Sequence, residues 1–195
     1  MKIASAIVAV MISHPVLAQV AGPKWQPNEV VKNDDGLVSR SGTTPKGNPY
    51  WYNDKGRGYV LIIGAEMTGK GWNTECEIDP ITDAKECHLQ RGATPLLLDM
   101  GSGTTVKTIC IIRHNFPGRR GAIRVDSNPA VATNANGCVS SPALVKQLLN
   151  GQKVTVRWVN WPRDYSVDAI SEIGPLQEAL DLTGYIRRSL NNFGF

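Results

Sequence analysis

From Gly58 onward the apolar residues of this chain either cluster in short runs or alternate with polar ones, and both patterns predict β-strands. "GYVLIIGAEM" (58–67) is a β-branched apolar run bounded by glycines. "GWNTECEI" (71–78) and "ECHLQRG" (86–92) flank "DPITDAK", where Asp79-Pro80 signals a turn. "TPLLLDM" (94–100), "TVKTICIIRH" (105–114) and "GAIRVDS" (121–127) follow, separated by "GSGT" and "NFPGRRG". In "QKVTVRWVNW" (152–161), Val154, Val156 and Trp158 alternate with Thr155 and Arg157, so one face of this strand, Trp158 included, points to a core. "DYSVDAIS" (164–171) reads as its neighbour.

Two stretches change to a helical spacing. In "SPALVKQLLNG" (141–151), Ser141 is a fit N-cap, Pro142 suits the first helical position and Gly151 the stop, with Leu144, Val145, Leu148 and Leu149 on one face. "DLTGYIRRSLNN" (181–192) predicts a short C-terminal helix packing Tyr185, Ile186 and Leu190 inward. Residues 19–49 hold neither period and are rich in Pro, Gly, Asn and Ser. They predict a flexible N-terminal arm, with Trp25 or Val30–Val31 touching the body. The ordered domain is then 50–195: mainly β, a β-sandwich or partly open barrel with one or two short covering helices and two disulfides.

The first 20 residues, "MKIASAIVAVMISHPVLAQV", read as a secretory signal peptide. Lys2 is a minimal basic region, Ile3 to Ile12 an apolar one, and "VLA" precedes a cut expected after Ala18, so residues 1–18 are removed. The apolar run is too short for a membrane span, which needs roughly 20 residues, and no later segment qualifies. Composition is ordinary for a globular domain: 195 residues, 42% hydrophobic and 19% charged, with a formal net charge of +4. That slight excess neither requires nor excludes an anionic partner.

Export changes how the four cysteines read. Cys76, Cys87, Cys110 and Cys138 predict two disulfides. Locality favours Cys76–Cys87 and Cys110–Cys138 among the three connectivities. The spacing of Cys76 and Cys87 suits neither zinc, which wants C-x₂₋₄-C pairs, nor a C-x-x-C redox pair. A staple across a hairpin is the better answer.

Catalytic signals are thin. "GAEMTGKG" (64–71) matches G-x-x-x-x-G-K, but Gly71 stands where a phosphate loop has Ser or Thr, and a strand pattern follows instead of a helix. It and "GSGTT" (101–105) read as glycine-rich turns. His88 and His114 fall on strands or their ends, with no hydrolase or metalloprotease motif beside them. Glu75, Glu77 and Asp79 alternate on one strand, too few oxygens for calcium. No metal or cofactor is therefore expected.

The best binding signal is "RHNFPGRRGAIR" (113–124), which gathers Arg113, Arg119, Arg120 and Arg124 around a Pro-Gly turn. It suits an acidic protein or an anionic envelope or host component, such as a lipid headgroup or polyanion. Nucleic acid would want aromatics interleaved on a basic sheet, and Phe116 alone does not supply that. Trp158, Trp161, Pro162 and Tyr165 suggest an aromatic cluster, with Trp161 available to a partner.

These pieces together resemble the invasion-associated locus B family of exported proteins of Gram-negative bacteria. The likeness rests on a Trp-x-x-x-Cys strand with its partner cysteine, a Gly-Cys followed by a helix ending L-x-x-G, a valine-rich strand and a closing L-x-G-[FY]. Trp72, Cys76, Cys87, Gly137, Cys138, Leu148, Gly151, Leu182, Gly184 and Tyr185 hold those places, over roughly residues 58–190. The chain departs from the pattern at Cys110, which lies well upstream of Gly137–Cys138. Membership implies a small β-rich periplasmic or outer-envelope protein linked to host-cell entry or envelope homeostasis, and supplies no catalytic residues. The expectation is an exported, non-enzymatic binding protein that uses Arg113, Arg119, Arg120, Arg124 and Trp161. The alternatives are a structural subunit docking through its arm, and a periplasmic hydrolase using His88 or His114.

Overall fold

A computed structural model describes residues 29–32, 38–53, 58–62, 71–91 and 94–189. The predicted signal peptide, Trp25, Leu190 and most of the 64–71 glycine-rich stretch lie outside them.

The described strands form two antiparallel sheets. The larger takes eight strands in chain order, β1 (Glu29–Lys32), β2 (Val38–Thr43), β3 (Pro49–Asn53), β4 (Gly58–Ile62), β5 (Trp72–Ile78), β6 (Lys85–Arg91), β7 (Leu96–Gly101) and β8 (Thr108–Ile111). The smaller begins with β9 (Ala122–Val125) and β10 (Val131–Ala132). The chain then returns to the larger sheet, where β11 (Cys138–Val139) pairs with β8. After helix α1 (Pro142–Asn150), β12 (Lys153–Asn160) and β13 (Arg163–Glu172) complete the smaller sheet in the order β10-β9-β12-β13, and helix α2 (Leu176–Ser189) closes the described chain. The fold is mainly β with two helices, and neither sheet closes into a barrel.

Alternation sets the faces. Along β5, Trp72, Thr74 and Cys76 are buried while residues between them reach solvent; β7 buries Leu96, Leu98 and Met100 in the same way. On β12, Val154, Val156 and Trp158 point inward as their spacing predicted. One apolar cluster joins both sheets and both helices, taking in Leu89, Ile109, Ile123, Leu144 and Leu182. Burial of this kind stabilises by about 25 cal/mol per Å² of apolar surface. Trp72 also ties the sheets to the segment before α2, because its buried indole N–H donates to the Ile173 carbonyl at 2.8 Å.

Helix α1 follows its sequence signals: the Ser141 hydroxyl accepts the Leu144 N–H at 3.2 Å, Pro142 opens the helix, and Leu144 and Leu148 are buried. Helix α2 starts at Leu176, five residues earlier than the sequence suggests, because Leu176, Ala179, Leu182 and Ile186 make one apolar stripe. Its first turn carries the buried Glu178, whose carboxylate accepts the Lys46 N–H at 3.1 Å and the Asn48 side-chain N–H at 2.5 Å.

That contact belongs to a wider difference from the sequence reading. Residues 19–49 were expected to be an arm, with order starting near Tyr50; instead the sheet already contains β1 and β2, and β2 is in register with β3 from Ser39–Asn53 to Thr43–Pro49. Main-chain pairing with β1 and β3 places β2 in the sheet, and its polar segment "VSRSGT" gives no apolar period to read.

Both disulfides join residues that face each other across paired strands: Cys76–Cys87 across β5–β6 and Cys110–Cys138 across β8–β11, with Cα separations of 4.1 and 4.0 Å. The first is buried and the second half-exposed. The Asp79 carboxylate rounds the β5–β6 turn by accepting N–H groups of Ile81 and Thr82. Two closed disulfides fit an oxidising, extracytoplasmic environment. No helix among the described residues is long and apolar enough to cross a membrane.

Candidate functional site

The basic stretch after β8 is latched to the turn between β12 and β13. Past Ile111 the chain leaves the larger sheet, and the Asn115 N–H donates to the Val159 carbonyl at 3.3 Å. Asn115 returns the favour through its side chain, whose Oδ1 accepts the Trp161 N–H at 2.7 Å. Phe116-Pro117-Gly118-Arg119 then makes a tight turn, with the Arg119 N–H donating to the Phe116 carbonyl. Gly118, at φ +74°, supplies the left-handed residue that a Pro-Gly turn of this kind requires.

His114 is the hinge pin of the latch. It is buried at 6% exposure, its Nδ1 accepts the Val159 N–H at 3.2 Å, and its Nε2 lies 3.1 Å from the Arg119 carbonyl. With the Val159 N–H at Nδ1, that nitrogen is an acceptor and Nε2 is the one that donates to the Arg119 carbonyl. Both nitrogens are therefore engaged in structure. His88, on β6, sits opposite Glu75 on β5 with Nε2 to Oε2 at 3.3 Å. Among the described residues no three His, Cys, Asp or Glu side chains are placed to hold a metal ion.

Outside the latch the side chains turn to solvent. The turn Asn160-Trp161-Pro162-Arg163 has a cis peptide before Pro162 and projects Trp161, which is 62% exposed. The Phe116 ring props it, with ring centres 5.4 Å apart and planes inclined by 57°. Arg119 forms an ion pair with Asp164 of β13, and the Arg163 guanidinium donates to the exposed Tyr165 hydroxyl at 3.2 Å. Arg113 and Arg120 are exposed and make no ion pair among the described residues.

The structure thus divides the residues singled out in the sequence. Arg113, Arg119 and Arg120 lie on the loop that grips the β12–β13 turn, with Trp161 at its tip. Arg124 sits instead on the outer face of the smaller sheet, in a shallow depression with Thr155, Arg157 and Asp168. There Arg157 grips Asp168 through two 2.7 Å hydrogen bonds. That hydrogen bonding, with the charges of Arg157 and Arg124, holds the Asp168 carboxyl below its usual range, and the same hydrogen bonding with the Asp168 charge raises Arg157. The anticipated aromatic cluster is also split: Trp158 is core at 5% exposure, and Trp161 pairs with Phe116, a partner 45 residues away that no local spacing reveals. Arg163 and Asp164 were missed as members of the tip; the signal available was their place beside Trp161-Pro162 in a two-residue hairpin turn.

Comparison of the chain with protein-family models, curated proteins and solved structures returns no match.

Proposed function

We propose that this is an exported, non-enzymatic protein of the bacterial envelope, of the kind its resemblance to the invasion-associated locus B family implies, that binds an anionic component through the loop–hairpin tip. The observation that carries this reading is the latch itself. Asn115, His114 and Phe116 fix the loop to the hairpin, and the outcome is an exposed indole beside exposed arginines. Exposed guanidinium groups on a rigid turn attract phosphate, sulfate or carboxylate groups and lose little freedom on binding. The buried residues beneath them fix the loop and do no chemistry.

A soluble sulfated polysaccharide column is a suitable probe. The Arg113→Glu/Arg120→Glu variant should elute at clearly lower salt than the parent protein, whereas Arg124→Glu, on the other surface, should elute close to it. Identical elution of the double variant and the parent would remove the assignment.

A further inference from the structure

We propose that the physiological occupant of this tip is the surface of an anionic lipid bilayer, with Trp161 entering the headgroup layer; the inference rests on the binding reading above and narrows its partner. A polyanion in solution needs only the guanidinium groups. Two of the exposed side chains here are aromatic: Trp161 is 62% and Tyr165 54% exposed. An indole and a phenol, apolar in the body and polar at one end, are suited to the boundary between headgroups and acyl chains.

The tip is also built to keep the indole out. Its backbone N–H is held by Asn115 Oδ1 and its ring rests on Phe116, so Trp161 is presented rather than folded against the sheet. Exposed aromatic surface in water is unfavourable, and a partner that covers the indole relieves that cost.

The charges agree. Asp164, three residues from Trp161, is the acid that would be repelled by an anionic membrane, and Arg119 neutralises it. Arg113, Arg120 and Arg163 remain as net positive groups on the loop and turn. Near an anionic surface each such residue strengthens binding roughly fivefold.

The test is co-sedimentation of the disulfide-closed protein with sucrose-loaded vesicles of phosphatidylglycerol and phosphatidylcholine, run beside the sulfated polysaccharide column. The protein should bind the anionic vesicles and not pure phosphatidylcholine vesicles. Trp161→Ala should weaken vesicle binding by about tenfold, as expected for losing one inserted aromatic, and by far more than it lowers the salt of elution from the polysaccharide. Trp161→Phe should keep most of the vesicle affinity, and unchanged circular dichroism of both variants would show that the fold is intact. Vesicle binding that ignores Trp161→Ala would overturn the inference. Retention on the polysaccharide with no vesicle binding would also overturn it while leaving the broader binding reading in place; failure of both would remove the two together.

Discussion

Arg91 on β6 lies directly across from Trp72 on β5, its guanidinium carbon 5.7 Å from the centre of the indole ring, and only 2% of the arginine reaches solvent. Burial pushes its pKa down, opposed by the charge of Glu172. Among the described residues Nε and Nη1 find no acceptor. A buried cation over an indole gains from the ring's negative face, and the cost of stripping its water is larger. Arg91→Met should therefore be neutral or slightly stabilising. Trp72→Ala should destabilise by about 3–5 kcal/mol, because it empties a fully buried site and frees the Ile173 carbonyl. Urea unfolding of both variants checks this; a large loss for Arg91→Met would show that the cation stabilises the core.

The two disulfides should differ in how they open. Cys76 and Cys87 are buried at 0% and 1% exposure, whereas Cys110 and Cys138 are half-exposed where the short β11 meets β8. Limited thiol reductant under native conditions should label Cys110 and Cys138 first in alkylation mapping. The loops they close span 11 and 28 residues, so removing each pair should cost about 3 and about 3.5 kcal/mol in the chain-entropy account. Labelling of Cys76 and Cys87 first would contradict the assigned burial.

What could be read from the sequence was what repeats locally. The alternation of Val154, Val156 and Trp158, the Ser141-Pro142 helix start and the nearest-neighbour cysteine pairing all appear in the structure. Long-range register could not be read. β2 is polar and joins the sheet by backbone pairing with β1 and β3, so its sequence resembles a linker. The tip escaped for the same reason: His114 meets Val159, and Phe116 meets Trp161, each across 45 residues. Arg113, Arg119, Arg120 and Trp161 were recognisable as types, but their convergence was visible only in three dimensions.

Gly137 and Gly118 both adopt positive φ, at +76° and +74°, yet their substitution should not cost the same. A Cβ on Gly137 would stand 2.8 Å from the His114 Cβ and 3.0 Å from the Ile111 carbonyl oxygen, whereas nothing lies within 4 Å at Gly118. Gly118→Ala should cost only the left-handed penalty of about 1–2 kcal/mol. Gly137→Ala should cost more and should loosen the 113–120 loop through His114. Thermal melts of the two variants make the comparison, and equal losses would show that His114 yields freely.

The Arg157–Asp168 pair predicts a weak acid dependence. Because the Asp168 carboxyl is held below its ordinary value of 3.8, first by hydrogen bonds from Arg157, the pair stabilises the fold above that value. This contribution is lost as pH falls through the lower folded value. Both side chains are roughly half-exposed, so it is small and weakens with salt. Asp168→Asn should therefore be slightly less stable than the parent at pH 7, and the two should converge below about pH 4 in urea titrations. A constant difference down to pH 2.5 would contradict the pair's role.

Hydrogen–deuterium exchange of the disulfide-closed protein, with and without the soluble sulfated polysaccharide, shows which surface the anion covers. If the loop and the hairpin turn form one binding surface, slowed exchange should be confined to residues 112–121 and 160–165. Protection centred on the Arg124–Arg157 face or on α2, with the tip unchanged, would contradict it.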